Sequence, residues 1–198
     1  MNKVEPIRDE GALLRCYDAA RAHDANAYRE HQCSWELLLA LGLNTGLRIS
    51  DLLTQRVGDV RGQKYIQGRA RKTGKEYRIY VKPDVQRVIN RLTAGRDPGE
   101  YVFQSLQRDP SGDTRPISRQ WAWRIIQDMT REAGITDRVG CHTLRKTFGY
   151  HHYQQFHDEV TLQKMLQHSY TRETLRYIGI EQDQLDETQH QRKSLLGR

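Results

Sequence analysis

Between Gly58 and Val81 the apolar residues of this chain alternate, and on either side of that stretch they recur every three to four positions. An alternating run offers one face of a strand to a core, and a recurrence near 3.6 offers one stripe of a helix. The chain is therefore read as α+β, mainly α, with helices enclosing one small antiparallel sheet. Tyr65-Ile66 and Tyr77, Ile79 and Val81 flank the turn-like Lys72-Thr73-Gly74-Lys75, which predicts a β-hairpin.

The helical stretches carry their own punctuation. Leu13, Leu14, Tyr17 and Ala20 predict a helix over about 9–22 with Asp9 as its N-cap. Trp35, Leu38, Leu39 and Gly42 predict a second helix after Ser34 with one buried face, stopped by Asn44-Thr45-Gly46. A short helix restarts near Ile49, which sets Arg48 at a junction between two helices. Pro83 fits the first position of a helix striped by Val85, Val88, Ile89 and Leu92. Loops over 95–100 and 107–116 bracket a strand-like Tyr101-Val102-Phe103. Helices are then expected over about 118–133, with Trp121, Ile125 and Met129 inward, and over 142–156, 159–167, 171–179 and 183–195.

At 198 residues, with no low-complexity linker or internal repeat, the chain is read as one domain over 1–198, large enough to bury a core without staples. Cys16, Cys33 and Cys141 are odd in number and outside any CxxC pair, so they are read as free buried thiols. No stretch has the roughly 18 to 20 apolar residues of a membrane span, and the start MNKVEPIRDE lacks the apolar core of a signal peptide; a cytoplasmic protein, close to the nucleoid, is the expectation. The formal net charge of +7 is unevenly spread: residues 61–96 hold eleven Lys or Arg against Glu76 and Asp84, a net +9. Residues 181–191 hold four acids and no Lys or Arg. The basic block, much of it on the hairpin, suits a polyanionic partner.

The strings TGLRISDLL (45–53), RKTGKEYRIYV (71–81), HTLRKTF (142–148), LQHS (166–169) and TLRYIGI (174–180) carry more information together than any one residue does. In combination they resemble the catalytic domain of the tyrosine recombinase or phage integrase family, over about 35–180. The resemblance implies that family's fold and activity: site-specific cleavage and rejoining of DNA through a 3′-phosphotyrosyl intermediate, in integration, excision or inversion, without metal or other cofactor. By the same resemblance Arg48 and Arg145 hold the phosphate, Tyr177 is the nucleophile, His142 its proton acceptor, His168 a phosphate contact and Asp51 a supporting acid. Lys72 matches the hairpin lysine that protonates the leaving oxygen, with Lys75 as its alternative.

The chemistry suits these residue types. Charge growing on a five-coordinate phosphorus is met by two guanidiniums with forked donors. A phenol with a pKa of about 10 needs a cationic surround or an acceptor. Arg71, Lys75, Arg119 and Arg124 are the candidates for backbone phosphate contacts. Tyr150 and Tyr153 are assigned to packing, and His151, His152 and His157 complete no familiar zinc pattern. Trp123 is expected to be the exposed member of the Trp121/Trp123 pair.

Partners implied are double-stranded DNA and further copies of this chain, as a homotetramer on DNA. The tail over 181–198, with Leu185 and Leu195-Leu196, would be exchanged between protomers. Two departures stand out: Gln167 occupies the position before His-Ser where the family commonly has Gly, and residues 1–34 are too short for the core-binding domain found N-terminal to many such catalytic domains, as in a short invertase or mobile-element integrase. A type IB topoisomerase-like relaxing enzyme and a dormant DNA-binding regulator are the alternatives.

Overall fold

The structure is a computed structural model, and it describes residues 4–31 and 33–194. The first helix, α1 (Glu10–His31), begins where Asp9 caps it through the Ala12 amide, at 2.6 Å, and runs well beyond the expected end near 22. The next helix, α2 (Trp35–Thr45), is capped by Ser34, whose hydroxyl accepts from the Leu37 amide at 3.0 Å. Its apolar residues cover more than one face: Leu37, Leu38, Leu39 and Leu41 are all essentially inaccessible. That breadth makes α2 the axis of the core, with α1 and three later helices packed around it. Glu36, buried within it, is neutralised by Arg21 and Arg91 at 3.1 and 2.8 Å.

Gly46 ends α2 in the left-handed region, φ 63, and a Cβ there would stand 2.6 Å from the Phe148 ring. Arg48 is the N-cap of α3 (Ile49–Leu53), at the junction the sequence indicated. A further short helix, α4 (Val57–Val60), was not anticipated. The hairpin follows, with β1 (Tyr65–Arg69) paired antiparallel to β2 (Glu76–Tyr80) in the register Tyr65↔Tyr80. Pro83 opens α5 (Pro83–Leu92), which turns Val85 and Ile89 into the core.

The expected strand at Tyr101–Phe103 is displaced. Tyr101 makes an isolated bridge to Arg56, while Val102 and Phe103 are core residues of a turn. The strands are β3 (Gln104–Arg108) and β4 (Thr114–Pro116), a second hairpin within a stretch read partly as loop. In α6 (Arg119–Glu132) the buried stripe is Ala122, Ile125, Ile126 and Met129; Trp121, expected inside, is exposed like Trp123.

The remaining helices are α7 (Thr143–Phe156), α8 (Glu159–Met165), α9 (Thr171–Ile178) and α10 (Ile180–Gln191). The last begins three residues before its expected start, and Leu195-Leu196 of the expected tail lie outside the described residues. Gly42 lets α7 approach α2 closely, since a Cβ there would meet Leu144 at 2.5 Å.

A second, smaller core of Leu162, Leu166, Ile178 and Ile180 joins α7, α8 and α9, with Tyr150 and Tyr153 packed on it as expected. Cys16, Cys33 and Cys141 are free and buried. Among the described residues, no helix is long and apolar enough to cross a membrane.

Candidate active site

Arg145 lies on the buried side of α7, 5% exposed. Its guanidinium donates to the Gly46 carbonyl at the end of α2 and to the Leu166 carbonyl after α8. A guanidinium has five N–H donors, so two carbonyls can fix its plane and leave others for a ligand. Burial pulls its pKa down to about 10, against the opposing pull of Tyr177 and Asp51, so it remains a cation at neutral pH.

Tyr177 projects from α9 toward this cation. Its hydroxyl lies 3.2 Å from His142 Nδ1, and Arg145 reaches it as a further hydrogen-bond partner. Burial raises the phenol pKa, and Arg145 and Arg48 counteract that rise. Lys146 stands on the other side, Nζ 5.4 Å from the Tyr177 ring centre, while donating to the Val4 carbonyl at 2.7 Å.

His142 is the N-cap residue of α7 rather than a residue within it, at the rim of a cleft of about 1030 Å³ shared with Tyr177, Lys146 and Arg119. Its pKa is lowered by desolvation and then by Arg119, Arg145, Lys146 and Arg48, so the ring is neutral at pH 7 and able to accept a proton. His168 packs edge-to-face on Tyr177 with ring centres 5.1 Å apart and shares Nδ1 with the Thr174 hydroxyl at 3.0 Å. Burial and then Arg145 hold its pKa at about 4. Arg48, half-buried, contributes to the electrostatics of Tyr177, His142, His168 and Arg145 alike.

Five of the expected site residues thus converge: Arg48, His142, Arg145, His168 and Tyr177. Asp51 is buried beneath them and accepts from the Arg71 amide at 2.9 Å, which anchors the hairpin turn. Lys72 is placed differently. It stands exposed on that turn, and its ammonium makes no hydrogen bond or ion pair among the described residues. Lys75 is exposed three residues further on.

The remaining basic candidates separate. Arg119 is exposed beside His142 in the same cleft, whereas Arg124 lies over the Trp121 ring, in a different groove with His23 and Trp35. His151 bonds the Ile7 carbonyl and His152 packs between Phe148 and Phe156, which gives both a structural use.

Two residues near the site carry contacts that the sequence did not assign to them. Lys146 was signalled only by its place next to Arg145. Gln167, noted as a departure from the family pattern, donates to the Glu76 carbonyl at 3.0 Å, so its side chain reaches the hairpin.

This fold, with a tyrosine held between a buried arginine and a histidine, has clear relatives. The profile of the phage integrase family matches residues 14–183, and the chain belongs to that family. It is 38% identical over 146 residues to the probable integrase/recombinase YoeC of Bacillus subtilis, covering 74% of this chain and 77% of YoeC. The crystal structure of XerA recombinase superimposes with a TM-score of 0.67 at 20% identity, covering 96% of this chain and 65% of that one. A lambda integrase, solved as a tetramer bound to a Holliday junction, gives 0.64 at 15% identity, covering 100% of this chain and 52% of that one. The chain also spans about half the length, 51% and 43%, of the tyrosine recombinases XerA of Pyrococcus furiosus and XerD of Mycobacterium leprae.

Proposed function

We propose that this chain is a site-specific DNA recombinase that cleaves and rejoins strands through Tyr177. The observation that carries the reading is the short chain of contacts Arg145–Tyr177–His142, with the phenol 3.2 Å from a neutral imidazole nitrogen. Tyr177 Oη attacks phosphorus and passes its proton to His142; Arg48 and Arg145 hold the non-bridging oxygens as their charge grows. With Thr174 donating to Nδ1 of a neutral His168, Nε2–H is left to donate to a non-bridging oxygen. The bond to the 5′ oxygen breaks, and Lys72 supplies the proton that oxygen takes up. Attack by a 5′ hydroxyl on the 3′-phosphotyrosyl link reverses each transfer, so strand exchange conserves the bond.

Arg71, Lys75, Arg119 and Arg124 are assigned to the DNA backbone. Arg119 beside His142 and the exposed Arg71 and Lys75 on the hairpin turn support contact with duplex DNA near the site, while Arg124, in the groove of Trp121, would meet the backbone away from the cleft. The lambda integrase tetramer on a Holliday junction supports assembly of several copies on DNA. The segment after α9 is our candidate for the link between protomers. The family match and recombinase relatives favour this reading over a relaxing enzyme or a dormant regulator.

The test is capture of a covalent adduct. Nicked duplexes tiled across the DNA flanking the encoding gene lose a short fragment after cleavage and trap the intermediate. A protein–DNA species stable in denaturant, absent in Tyr177→Phe, is expected; an adduct that persists in Tyr177→Phe overturns the assignment.

A further inference from the structure

The strings that carry the resemblance put Gln167 where a glycine is common, and the backbone there has φ 53, in the left-handed region that glycine occupies without strain. A side chain retained at such a position calls for a contact that offsets the strain. Gln167 makes two, and both reach across to the lysine-bearing hairpin. Its Nε2–H donates to the Glu76 carbonyl at 3.0 Å, and its Oε1 accepts from the Thr73 hydroxyl at 3.5 Å. Thr73 follows Lys72 directly, and Glu76 opens β2 on the far side of the turn.

The neighbours of Gln167 in sequence are tied to the rest of the cluster. The Leu166 carbonyl accepts from Arg145, and His168 bonds Thr174 while lying against Tyr177. One tripeptide, Leu166-Gln167-His168, therefore touches the phosphate-holding arginine, the hairpin turn and the face of the nucleophile.

We propose that Gln167 is a positioning residue that latches the hairpin turn to the His168 segment, so that Lys72 meets the leaving 5′ oxygen when DNA fills the cleft. The inference rests on the recombinase reading for its chemistry, and on geometry alone for the latch. A turn otherwise joined to the site through the Arg71 amide on Asp51 gains a second tether on its opposite side. The Tyr77 hydroxyl accepts from the Gln55 amide at 2.9 Å on the Asp51 side, so the Gln167 contacts are what hold the turn toward the His168 segment.

The predicted consequence is selective for leaving-group protonation. Gln167→Gly removes the amide and relieves the backbone strain; Gln167→Met removes the amide but keeps side-chain bulk and strain. Both variants should remain folded. Amide hydrogen exchange over 70–80 should accelerate by about 5- to 10-fold, the value of one modest hydrogen bond, with exchange in α2 and α7 unchanged. Adduct formation on an ordinary 5′-oxygen substrate should slow by about 10- to 100-fold, as expected of a displaced acid.

On a substrate with sulfur in place of the bridging 5′ oxygen, whose thiolate departs without protonation, both variants should match wild type within about 2-fold. Lys72→Ala should show the same pattern with a larger defect. Exchange over 70–80 that is unchanged in both variants overturns the latch, whatever the DNA result. An equal defect on both substrates also overturns it, because that marks a general disturbance of the site. If wild type forms no adduct with either substrate, the recombinase reading fails, and the exchange arm still decides whether the latch exists.

Discussion

Gly149 lies one turn beyond Arg145 on α7, where that helix meets α9, and a Cβ at this position would stand 2.6 Å from Ile178 Cγ2. Contacts between carbons settle at about 3.5 to 4.0 Å, so Gly149→Ala demands a separation of about 1 Å. Ile178 cannot yield by rotation: it is fully buried, β-branched and packed with Leu162 and Leu166. The helix itself must move, and it carries Tyr177 one residue earlier. A displacement of about 1 Å would take the phenol from 3.2 Å to beyond hydrogen-bond reach of His142. We expect a stability loss of about 1–3 kcal/mol from overpacking and a fall of about 100-fold in single-turnover adduct formation. Urea unfolding and trapping on a nicked duplex measure the two effects. Adding Ile178→Leu, which removes the β-branch methyl, should return most of the rate. A wild-type rate in Gly149→Ala, with or without lost stability, would refute the claim that this helix contact sets the spacing of nucleophile and acceptor.

Two further outcomes follow from the same geometry. Arg145→Lys leaves at least one of the Gly46 and Leu166 carbonyls without its donor, so urea unfolding should show a loss of about 1–3 kcal/mol, and adduct formation should fall by at least about 100-fold. His168 holds its proton only below about pH 4 in the folded state, whereas the unfolded chain takes one up near 6.5. The unfolded state therefore binds more protons between those values, stability falls as pH drops through that window, and below about 4 the contribution levels off. At about 1.36 kcal/mol per pH unit the ceiling is about 3 kcal/mol, and screening of a half-buried ring brings the expectation to about 1–2 kcal/mol. Unfolding curves of His168→Asn and wild type from pH 4 to 7 should converge toward the acid end by that amount.

Much of this was legible because local chemistry and tertiary contact agree. Ser34, Gly46 and Pro83 terminate or start helices by their own backbone preferences, and the structure uses each that way. The five converging site residues were legible through the strings around them, which report a shared pattern and not a physical derivation. The misses have tertiary causes. Tyr101-Val102-Phe103 has strand composition, yet the Val102 amide bonds the Gln55 carbonyl and the two core side chains turn inward, so pairing passes to the polar Gln104–Arg108. Trp121 and Ala122 both fit a helical stripe, and packing against the core selects the smaller. Lys72 can be located on a turn from sequence, but the contact between that turn and the His168 segment is made by a glutamine 95 positions later.

The central claim, that Tyr177 forms the covalent link to DNA, is tested most directly by proteolysis of the trapped adduct and mass spectrometry of the nucleotide-bearing peptide. The account predicts a 3′-phosphate ester on Tyr177, within the peptide that spans α9. A nucleotide on Tyr150, Tyr153 or any other residue, with Tyr177 unmodified, would contradict it.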